Sequence, residues 1–428
     1  MTLPERLDIP TDVLEIARTL EAAGYEAWCV GGAIRDTLLD EPNTDYDVAT
    51  SATPDVVQRL FRHTVAVGER FGTVAVRTRR RHHEVTTFRR DVQTDGRHAV
   101  VEYGASLDED LARRDFTINA IAYHPLRHEW RDIFGGEADI ASRLIRAVGD
   151  PAQRFREDYL RVLRALRFAA RFDFTIEPAT WEALCAAVDG LRQLSAERVQ
   201  QEWFKGLRTA RSVARLLEMW IASGAARIWL PELLGSAQLP VEAGPRTPPP
   251  TAASQAPHPW VGRLADRATV LPAIEERHGA GLPRDPVLLT ILLCLDPVAV
   301  LMRLKASNAE IARAAAVLAG APEPEGNTPV AVRRWMAAVG DAVDDLTSLW
   351  RLRHGAPPLW EPVARGIRER GDPLTRKQLA VSGNDLREIG IPAGPQMGAV
   401  LDRLLSLVVD DPSLNTREAL LARARTLS

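Results

Sequence analysis

Two aspartates one residue apart, Asp45 and Asp47, follow shortly after a glycine pair, Gly31 and Gly32. Side chains i and i+2 of a β-strand project from one face, so the two carboxylates converge if this segment is extended. Such a point suits Mg²⁺, which usually takes only one or two protein carboxylates and fills its shell with water and substrate phosphates. The glycines let backbone N–H groups approach an anion, and Arg35 offers a planar fork of donors. The sequence therefore predicts a metal-assisted nucleoside triphosphate site, with Asp45 and Asp47 as catalytic metal ligands and Gly32 and Arg35 as nucleotide-binding residues.

The local order of predicted elements supports this interpretation. Taken alone, an Asp-x-Asp is most often a solvated turn or a cap, and a glycine pair is often only a turn. Here Thr11 is expected to cap an amphipathic helix that runs to about Gly24. Residues 26–30 are predicted as a strand, 33–39 as a short helix and 46–48 as a second strand. Both motifs then fall at element ends that face the same edge of one small sheet.

Four motifs in order resemble those of a known enzyme family. The Gly-Gly-x-x-Arg-Asp-x-Leu-Leu run at 31–39, with the Asp-x-Asp, resembles the nucleotidyltransferase head shared by class II CCA-adding tRNA nucleotidyltransferases and bacterial poly(A) polymerases. Segments 110–120, 156–167 and 195–199 resemble the family's sugar and triphosphate motif, its base-selecting motif and its following helical motif. The resemblance implies an α+β head, built from a small mixed β-sheet with helices, followed by an all-α neck, body and tail.

Domain boundaries follow from a change in periodicity. Through about residue 142 short strands alternate with helices; 73–78 and 84–88 are predicted strands, and Pro54 is predicted to open a helix that ends at 61. Beyond that point the sequence is helical in period and almost free of strands. We predict four segments: a catalytic head at 1–142, a helical neck for base selection at 143–205, a helical body at 206–372 with a Pro-rich loop at 236–259, and a helical tail at 373–428 that binds tRNA.

Residues 157–167 are predicted to form one helix that carries the base-selecting side chains. Residues three and four apart share a helix face, so Asp158, Arg161 and Arg164 can point together, and Arg167 continues the line. Asp158 can only accept a hydrogen bond and Arg161 can only donate. Cytosine and adenine both present an amino donor beside a ring-nitrogen acceptor, whereas uracil and guanine present the reverse, so this pair would select CTP and ATP. An amphipathic helix with an exposed salt-bridged face remains the alternative from spacing alone.

The resemblance extends the candidate site beyond these side chains. It implies that Arg114 contacts the nucleotide and that Asp115 and Asn119 shape the sugar site, where carboxylate and amide groups suit ribose hydroxyls. Without the resemblance, residues 113–115 would read as an ordinary surface ion-pair cluster. Glu84 lies on a predicted strand and is a possible third metal ligand, although a strand glutamate is usually only solvated.

Composition fits a multidomain enzyme. A chain of 428 residues is long enough for several domains, and its net charge of −3 does not by itself announce a nucleic-acid partner. Residues 143–171 nevertheless hold eight arginines against three acidic residues, a plausible phosphate track. The apolar run at 287–295 is too short to span a bilayer, and no signal peptide is visible. Cys29, Cys185 and Cys294 lie far apart and fit buried, reduced thiols in a cytoplasmic protein.

The resemblance implies template-independent addition of C, C and A to the 3′ end of tRNA. The RNA 3′-hydroxyl would attack the α-phosphate of CTP or ATP at two Mg²⁺ ions, releasing pyrophosphate. The expected partners are tRNA, CTP and ATP, with no membrane and no protein partner. Three alternatives stay open: an enzyme that adds only A or only CC, a bacterial poly(A) polymerase, and a non-catalytic RNA-binding protein. Segment 91–103 resembles the family's flexible loop and disfavours CC-only addition, and 68–74 and 379–405 resemble CCA-adding enzymes more than poly(A) polymerases.

Overall fold

The computed structural model describes residues 3–41, 46–66, 72–78, 81–94, 99–234, 271–272, 274–276 and 284–427. The chain divides into two compact units, Met1–Leu234 and Gly235–Ser428. Asp45, most of segment 68–74, residues 95–98 of the loop-like segment and the Pro-rich segment 236–259 lie outside the described residues. The finer division into head, neck, body and tail stays a prediction.

The first unit begins with a mixed β-sheet. A seven-stranded sheet has the order β3-β4-β5-β2-β1-β8-β9, and β6 and β7 form a separate antiparallel pair. In the middle of the large sheet, β2 runs antiparallel to β1 and parallel to β5. The strands are β1 (Ala27–Val30), β2 (Asp47–Thr50), β3 (Thr64–Ala66), β4 (Thr73–Arg77), β5 (His82–Thr87), β6 (Arg89–Thr94), β7 (Ala99–Tyr103), β8 (Ala122–His124) and β9 (Glu129–Arg131).

Burial explains which strands take the central positions. All four residues of β1 are buried, as expected for a strand covered on both faces. Along β5 buried residues alternate with more exposed ones, the period of two that marks a strand with one covered face. Trp28, Val30, Ala49, Phe88 and their neighbours form the hydrophobic core of the head. The polar residues at the ends of the central strands are therefore positioned by a packed sheet rather than by a loop.

Helices pack against the sheet, and the later part of the first unit is mostly helical. The predicted short helix at 33–39, the helix from Pro54 and the four predicted strands are confirmed to within two residues at each end. After residue 142 the described part of the first unit is helical apart from β10 (Leu144–Ile145) and β11 (Thr175–Ile176), which pair in parallel. The helices of the first unit are α1 (Thr11–Ala22), α2 (Gly32–Leu38), α3 (Pro54–Leu60), α4 (Leu107–Ala112), α5 (Gly136–Ala141), α6 (Pro151–Glu157), α7 (Leu160–Phe172), α8 (Pro178–Ala187), α9 (Ala196–Thr209), α10 (Val213–Ala222) and α11 (Ala225–Trp229).

Two local predictions were wrong. Thr11 does not cap α1; it is the first helical residue, and the N-cap is Pro10, whose carbonyl accepts the Leu14 N–H at 3.0 Å. Residues 157–167 do not form one helix either. Asp158 has extended backbone angles (φ −153°, ψ 105°) and separates α6 from α7. Its carboxylate accepts the Leu160 N–H at 3.0 Å, the local side-chain to backbone bond by which aspartate competes with helix continuation.

The second unit is helical throughout its described part. Its C-terminal helices pack around Leu386, Val400, Leu404, Val408 and Leu420. Ser382 caps the helix that follows it through a capping box with Asp385. The described helices of this unit are α12 (Pro286–Leu293), α13 (Pro297–Arg303), α14 (Asn308–Ala319), α15 (Pro329–Val339), α16 (Val343–His354), α17 (Glu361–Arg370), α18 (Gly383–Glu388), α19 (Pro395–Asp410) and α20 (Arg417–Leu427).

Two further sequence expectations meet the structure here. In the part of the chain that the structure describes, no helix combines the length and the apolar character needed to span a bilayer. All three cysteines are free thiols, and Cys29 and Cys294 are buried. Cys185 is only partly buried, which corrects the expectation for that residue, because it lies on a side of α8 that retains contact with solvent.

Candidate active site

A single cavity of about 870 Å³ in the first unit gathers the predicted site residues that the structure describes. It lies where the central strands β2 and β5 meet helices α2, α7 and α9. Asp45 lies outside the described residues, and the role of each lining residue stays a prediction. The cavity is lined by Gly32, Arg35, Asp47, Glu84, Arg114, Asp115, Asn119, Asp158, Arg161, Arg164 and Arg167.

Two carboxylates lie side by side on the sheet. Asp47 is the first residue of β2, and Glu84 is on β5. The strands are parallel and Val48 is paired with Val85, so the residues before them, Asp47 and Glu84, occupy matching positions on one face. Within the described residues no group of three or more His, Cys, Asp or Glu side chains is arranged to hold a metal ion. The donors present nevertheless fit a hard divalent cation, because they are carboxylate oxygens that open into a cavity.

The glycine before α2 is required by its surroundings. Gly31 has φ +73°, a left-handed conformation that favours glycine. A Cβ at this residue would lie 2.9 Å from Arg114 Nη1 and 3.9 Å from Asp47 Oδ2. Any side chain here would displace the guanidinium that approaches the carboxylate strand. The glycine pair in the sequence was therefore a signal for close packing at the cavity wall.

Arg35 is the most enclosed arginine of the cavity wall. Its side chain is only 4% exposed, and burial lowers its pKa to about 10. Nε and Nη2 donate to Asp36 Oδ1 at 2.8 and 2.6 Å, and Nη1 donates to Asn119. The guanidinium lies 4.9 Å from the ring centre of Phe168 and 4.8 Å from that of Phe172. The predicted phosphate fork is therefore partly committed to Asp36 and Asn119, and its contact with α7 is made through the two phenylalanine rings. One N–H on each terminal nitrogen makes no hydrogen bond with a described residue.

Asp115 is the centre of a buried polar network. It accepts hydrogen bonds from the Phe116 N–H at 2.8 Å, from Asn119 Nδ2 at 2.8 Å and from Arg164 Nε at 2.7 Å. Burial alone raises the pKa of this carboxyl, but Arg164 and Asn119 outweigh it and hold the pKa well below its usual range. Asp115 is therefore a fixed anion that orients both Asn119 and Arg164 toward the cavity.

Asp158 and Arg161 both line the cavity, although the break between α6 and α7 separates them. Asp158 Oδ2 accepts from Arg198 Nη2 at 2.7 Å. Arg161 Nη1 donates to Glu157 Oε2 at 2.7 Å, and Nη2 donates to the Arg113 carbonyl at 3.0 Å. The acceptor Asp158 and the donor Arg161 therefore line the same cavity. Each is held by its own hydrogen-bond partners and not by a position on a shared helix face.

Sequence reasoning missed a layer of carboxylates behind the arginines. Asp110 accepts from Arg113 and Arg114, and Glu157 from Arg161, at the i, i+3 and i, i+4 spacings of helical ion pairs. Those spacings were visible in the sequence. Glu202 Oε2 accepts from Arg167 Nε at 2.5 Å, and both side chains are buried. The two residues are 35 positions apart in the sequence, on α7 and α9, so no local sequence pattern could have predicted their contact.

Comparisons with known proteins agree with this architecture. Residues 27–146 match the family model described as "Poly A polymerase head domain". Residues 173–235 match a second model described as "Probable RNA and SrmB- binding site of polymerase A". With the central carboxylate strands, the glycine turn before α2 and the arginine-lined cavity, the first match defines a nucleotidyltransferase head.

Relatives that match nearly the whole chain narrow the family. The chain is 33% identical over 445 residues to the CCA-adding enzyme of Levilactobacillus brevis, covering 98% of each chain. It is 34% identical over 421 residues to that of Geobacillus stearothermophilus, covering 96% of this chain and 95% of the relative. Among solved structures, the Bacillus stearothermophilus CCA-adding enzyme in complex with CTP matches with a TM-score of 0.71 and 31% identity, over 97% of this chain and 98% of that one. The chain belongs to the CCA-adding enzyme family.

Proposed function

We propose that this protein adds C, C and A in turn to the 3′ end of tRNA, using CTP and ATP and no nucleic-acid template. One observation carries the proposal: the acceptor Asp158 and the donor Arg161 line the same cavity as the carboxylates Asp47 and Glu84. A side-chain pair that can read a base edge therefore faces the same space as groups suited to metal-assisted phosphoryl chemistry. Full-length relatives named CCA-adding enzymes, one of them solved with CTP, support this assignment.

Base choice is assigned to Asp158 and Arg161. Asp158 accepts from the exocyclic amino group that C and A share, and Arg161 donates to their ring nitrogen. UTP and GTP would place a donor against Arg161 and an acceptor against Asp158. Each buried group left unpaired costs about 1–3 kcal/mol, so the polar pair can reject the wrong base strongly.

The rest of the nucleotide is assigned to the walls between the sheet and α7. Asp115 and Asn119 face the ribose hydroxyls, and Arg114 with the remaining Arg35 donors faces phosphate oxygens. Gly32 opens α2 without a side chain beside the phosphates. Arg164 and Arg167 continue along α7 and close the pocket around the base and the sugar. These arginines are oriented by their carboxylate partners before any ligand arrives, which favours catalysis by positioning and charge stabilisation.

The reaction joins the RNA 3′-oxygen to the α-phosphate as the bond between the α- and β-phosphates breaks and pyrophosphate leaves. Asp47, Glu84 and Asp45, which precedes Asp47 by two residues, would hold Mg²⁺. When bound, the ion would lower the pKa of the attacking hydroxyl and stabilise the negative charge of the departing pyrophosphate. Arg114 stands beside Asp47 across Gly31, so a cationic side chain lies next to the expected position of the phosphates.

Two further assignments belong to this proposal. The protein is expected to act in the cytoplasm, which is consistent with its three free cysteines. The first unit is assigned to head and neck functions, nucleotide binding and chemistry. The C-terminal segment from residue 373 is assigned to tRNA binding.

Three tRNA substrates test the function directly. Purified protein is incubated with tRNAs that end before the CCA, after the first C and after CC, with CTP and ATP supplied singly and together. We expect two additions from CTP alone on the shortest substrate and a single A on the tRNA ending in CC. Long A tails on any RNA would identify a poly(A) polymerase, and extension of the CC-ending substrate alone would identify an A-only enzyme. No incorporation with any substrate would overturn the enzymatic assignment.

A further inference from the structure

The nucleotide cavity extends beyond the residues assigned to base, sugar and metal. Its lining continues to Arg171 on α7 and to Lys205 and Thr209 on α9. Arg171 follows Arg161 by ten residues of one helix, which corresponds to about 15 Å along the axis. Arg198 donates to Asp158, which precedes α7, and Glu202 accepts from Arg167, which lies within α7. The contacts advance along both helices in the same direction, so α9 runs parallel to α7. Lys205 therefore lies toward the end of the cavity that is far from the base-selecting pair.

Charge is compensated unequally along this wall. Near the base-selecting end and the middle, Arg198, Arg164 and Arg167 each bond a carboxylate of their own: Asp158, Asp115 and Glu202 respectively. Shared carboxylates occur at both ends: Glu157 serves Arg154 and Arg161 near the base-selecting pair, and Asp36 serves Arg35 and Arg171 at the far end. Lys205 forms no ion pair with any residue for which the structure gives a position, and it is exposed. Lys205 thus gives the far end a positive charge that no carboxylate of the described residues neutralises through an ion pair.

The two cations at this end differ in mobility. Arg171 donates through Nη2 to Asp36 Oδ2 at 3.0 Å and lies 4.8 Å from the ring centre of Phe172, so its guanidinium is held in place. Lys205 is an ammonium on a flexible stem with three donors and no acceptor. A fixed planar cation beside a mobile point charge suits an anion with several oxygens, and phosphate is the anion that this enzyme handles.

We propose that Lys205 and Arg171 form a phosphate subsite at this end of the cavity. The proposal rests on the proposed function, because that function brings two phosphate sources into the cavity. One source is the pyrophosphate end of the incoming nucleotide, which lies opposite the base within the nucleotide and reaches the region of Arg35. The other is a phosphodiester of the RNA 3′ end. Both sources present the same chemistry to Lys205.

The test compares Lys205→Met with Lys205→Arg and with Arg208→Met. Arg208 is exposed on the same helix, stacks 5.7 Å from the Phe204 ring centre and does not line the cavity. Equilibrium binding is measured for CTP, CMP and inorganic pyrophosphate without RNA, and for tRNA at several salt concentrations without nucleotide. Circular dichroism melts establish that each variant is folded.

If the nucleotide supplies the phosphate, Lys205→Met should weaken CTP and pyrophosphate binding about tenfold and leave CMP nearly unchanged, because only the first two carry terminal phosphates. If RNA supplies it, Lys205→Met should weaken tRNA binding and reduce the slope of log K against log salt by about 0.7–0.9. Either pattern, retained affinity in Lys205→Arg and no change in Arg208→Met support the subsite.

Unchanged CTP, pyrophosphate and tRNA affinities in a folded Lys205→Met variant would overturn the subsite. An equal loss of CTP and CMP affinity would also overturn it, since the lysine would then act through the shape of the pocket. Wild-type protein is assayed for C addition in parallel. A failure of the proposed function would show as no incorporation by the wild type, whatever the variants bind.

Discussion

The sheet side and the helix side of the cavity present opposite charge to a ligand. On the sheet side Asp47 and Glu84 occupy matching positions on parallel strands, and both carry carboxylates. On the helix side the lining residues of α7 and α9 are mostly arginines, and most of these are matched by carboxylates behind them. The sheet side is therefore suited to recruit a cation with its phosphates. On the helix side the carboxylates offset part of the arginine charge, and the remaining N–H donors are suited to hydrogen bonding with a ligand.

The largest expected effect comes from removing the sheet side. Asp47→Ala should lower single-turnover C addition on the order of a thousandfold, because metal ions supply several kcal/mol of transition-state stabilisation. Affinity for tRNA, measured by filter binding, should remain close to that of the wild type, since the carboxylate serves chemistry more than docking. Near-normal turnover in this variant would remove the sheet side from the mechanism.

On the helix side, Asp115→Ala should lower the free energy of unfolding more than it changes nucleotide specificity. The substitution leaves Arg164 without its carboxylate, and we expect a loss of about 3 kcal/mol in the free energy of unfolding, the lower end for a buried pair because Arg164 keeps some contact with solvent. Urea denaturation of the full chain measures the change. Glu182→Ala, an exposed acid on α8, is the matched control and should change stability by less than about 0.5 kcal/mol.

The same aspartate gives a pH signature. Its pKa in the folded protein is depressed, so its contribution to stability is present above its unfolded pKa of about 3.9 and is lost as pH falls through the folded value. The difference in unfolding free energy between wild type and Asp115→Asn should therefore be constant from pH 7 to about pH 5 and shrink in more acidic solution. A difference that grows on acidification would contradict the Arg164 pairing.

Asp158→Ala should change specificity more than stability. Its carboxylate is partly exposed, with the side chain at 28% of full exposure, so folding depends on it less than on Asp115. Loss of the acceptor should reduce CTP and ATP incorporation and narrow their advantage over UTP and GTP by about 1–3 kcal/mol, which is roughly five- to 150-fold. Single-turnover incorporation of all four nucleotides on one tRNA measures this. An undiminished preference for CTP and ATP would place base selection elsewhere in the pocket.

The smallest effect is expected for Arg198→Met. Arg198 acts through Asp158, and partly exposed ion pairs contribute about 0.2–1 kcal/mol. We expect discrimination against UTP to fall by up to about fivefold, with the rate of correct addition nearly unchanged. A double-mutant cycle with Asp158→Ala separates positioning from direct contact. If the two effects add independently, Arg198 does not orient Asp158.

The sequence predicted the elements whose signals are local and missed those set by packing. The local sequence pattern and Pro54 located strands and a helix to within two residues. The helical pattern did not reveal the break at Asp158. An aspartate whose carboxylate accepts a nearby backbone N–H, here that of Leu160, has the same sequence spacing as an aspartate on a helix face. Glu202 was invisible because its partner, Arg167, is brought to it by tertiary packing of two helices. The site was recognisable from residue order, and so were the spacings of Asp110 and Glu157 to their arginines, whereas the pairing of Glu202 with Arg167 was not.

The contact of Arg35 with both Phe168 and Phe172 has a consequence for how the enzyme can vary. One guanidinium and one carboxylate join α2 to α7: Arg35 packs against Phe168 and Phe172, and Asp36 accepts from Arg171. The proposed function assigns phosphate binding to the start of α2 and base selection to the start of α7 and the segment before it. A substitution that loosens this joint would disturb nucleotide affinity and nucleotide choice together. Tight coupling of this kind makes the joint a poor place to engineer a new base preference and a good place to look for compensating pairs of substitutions.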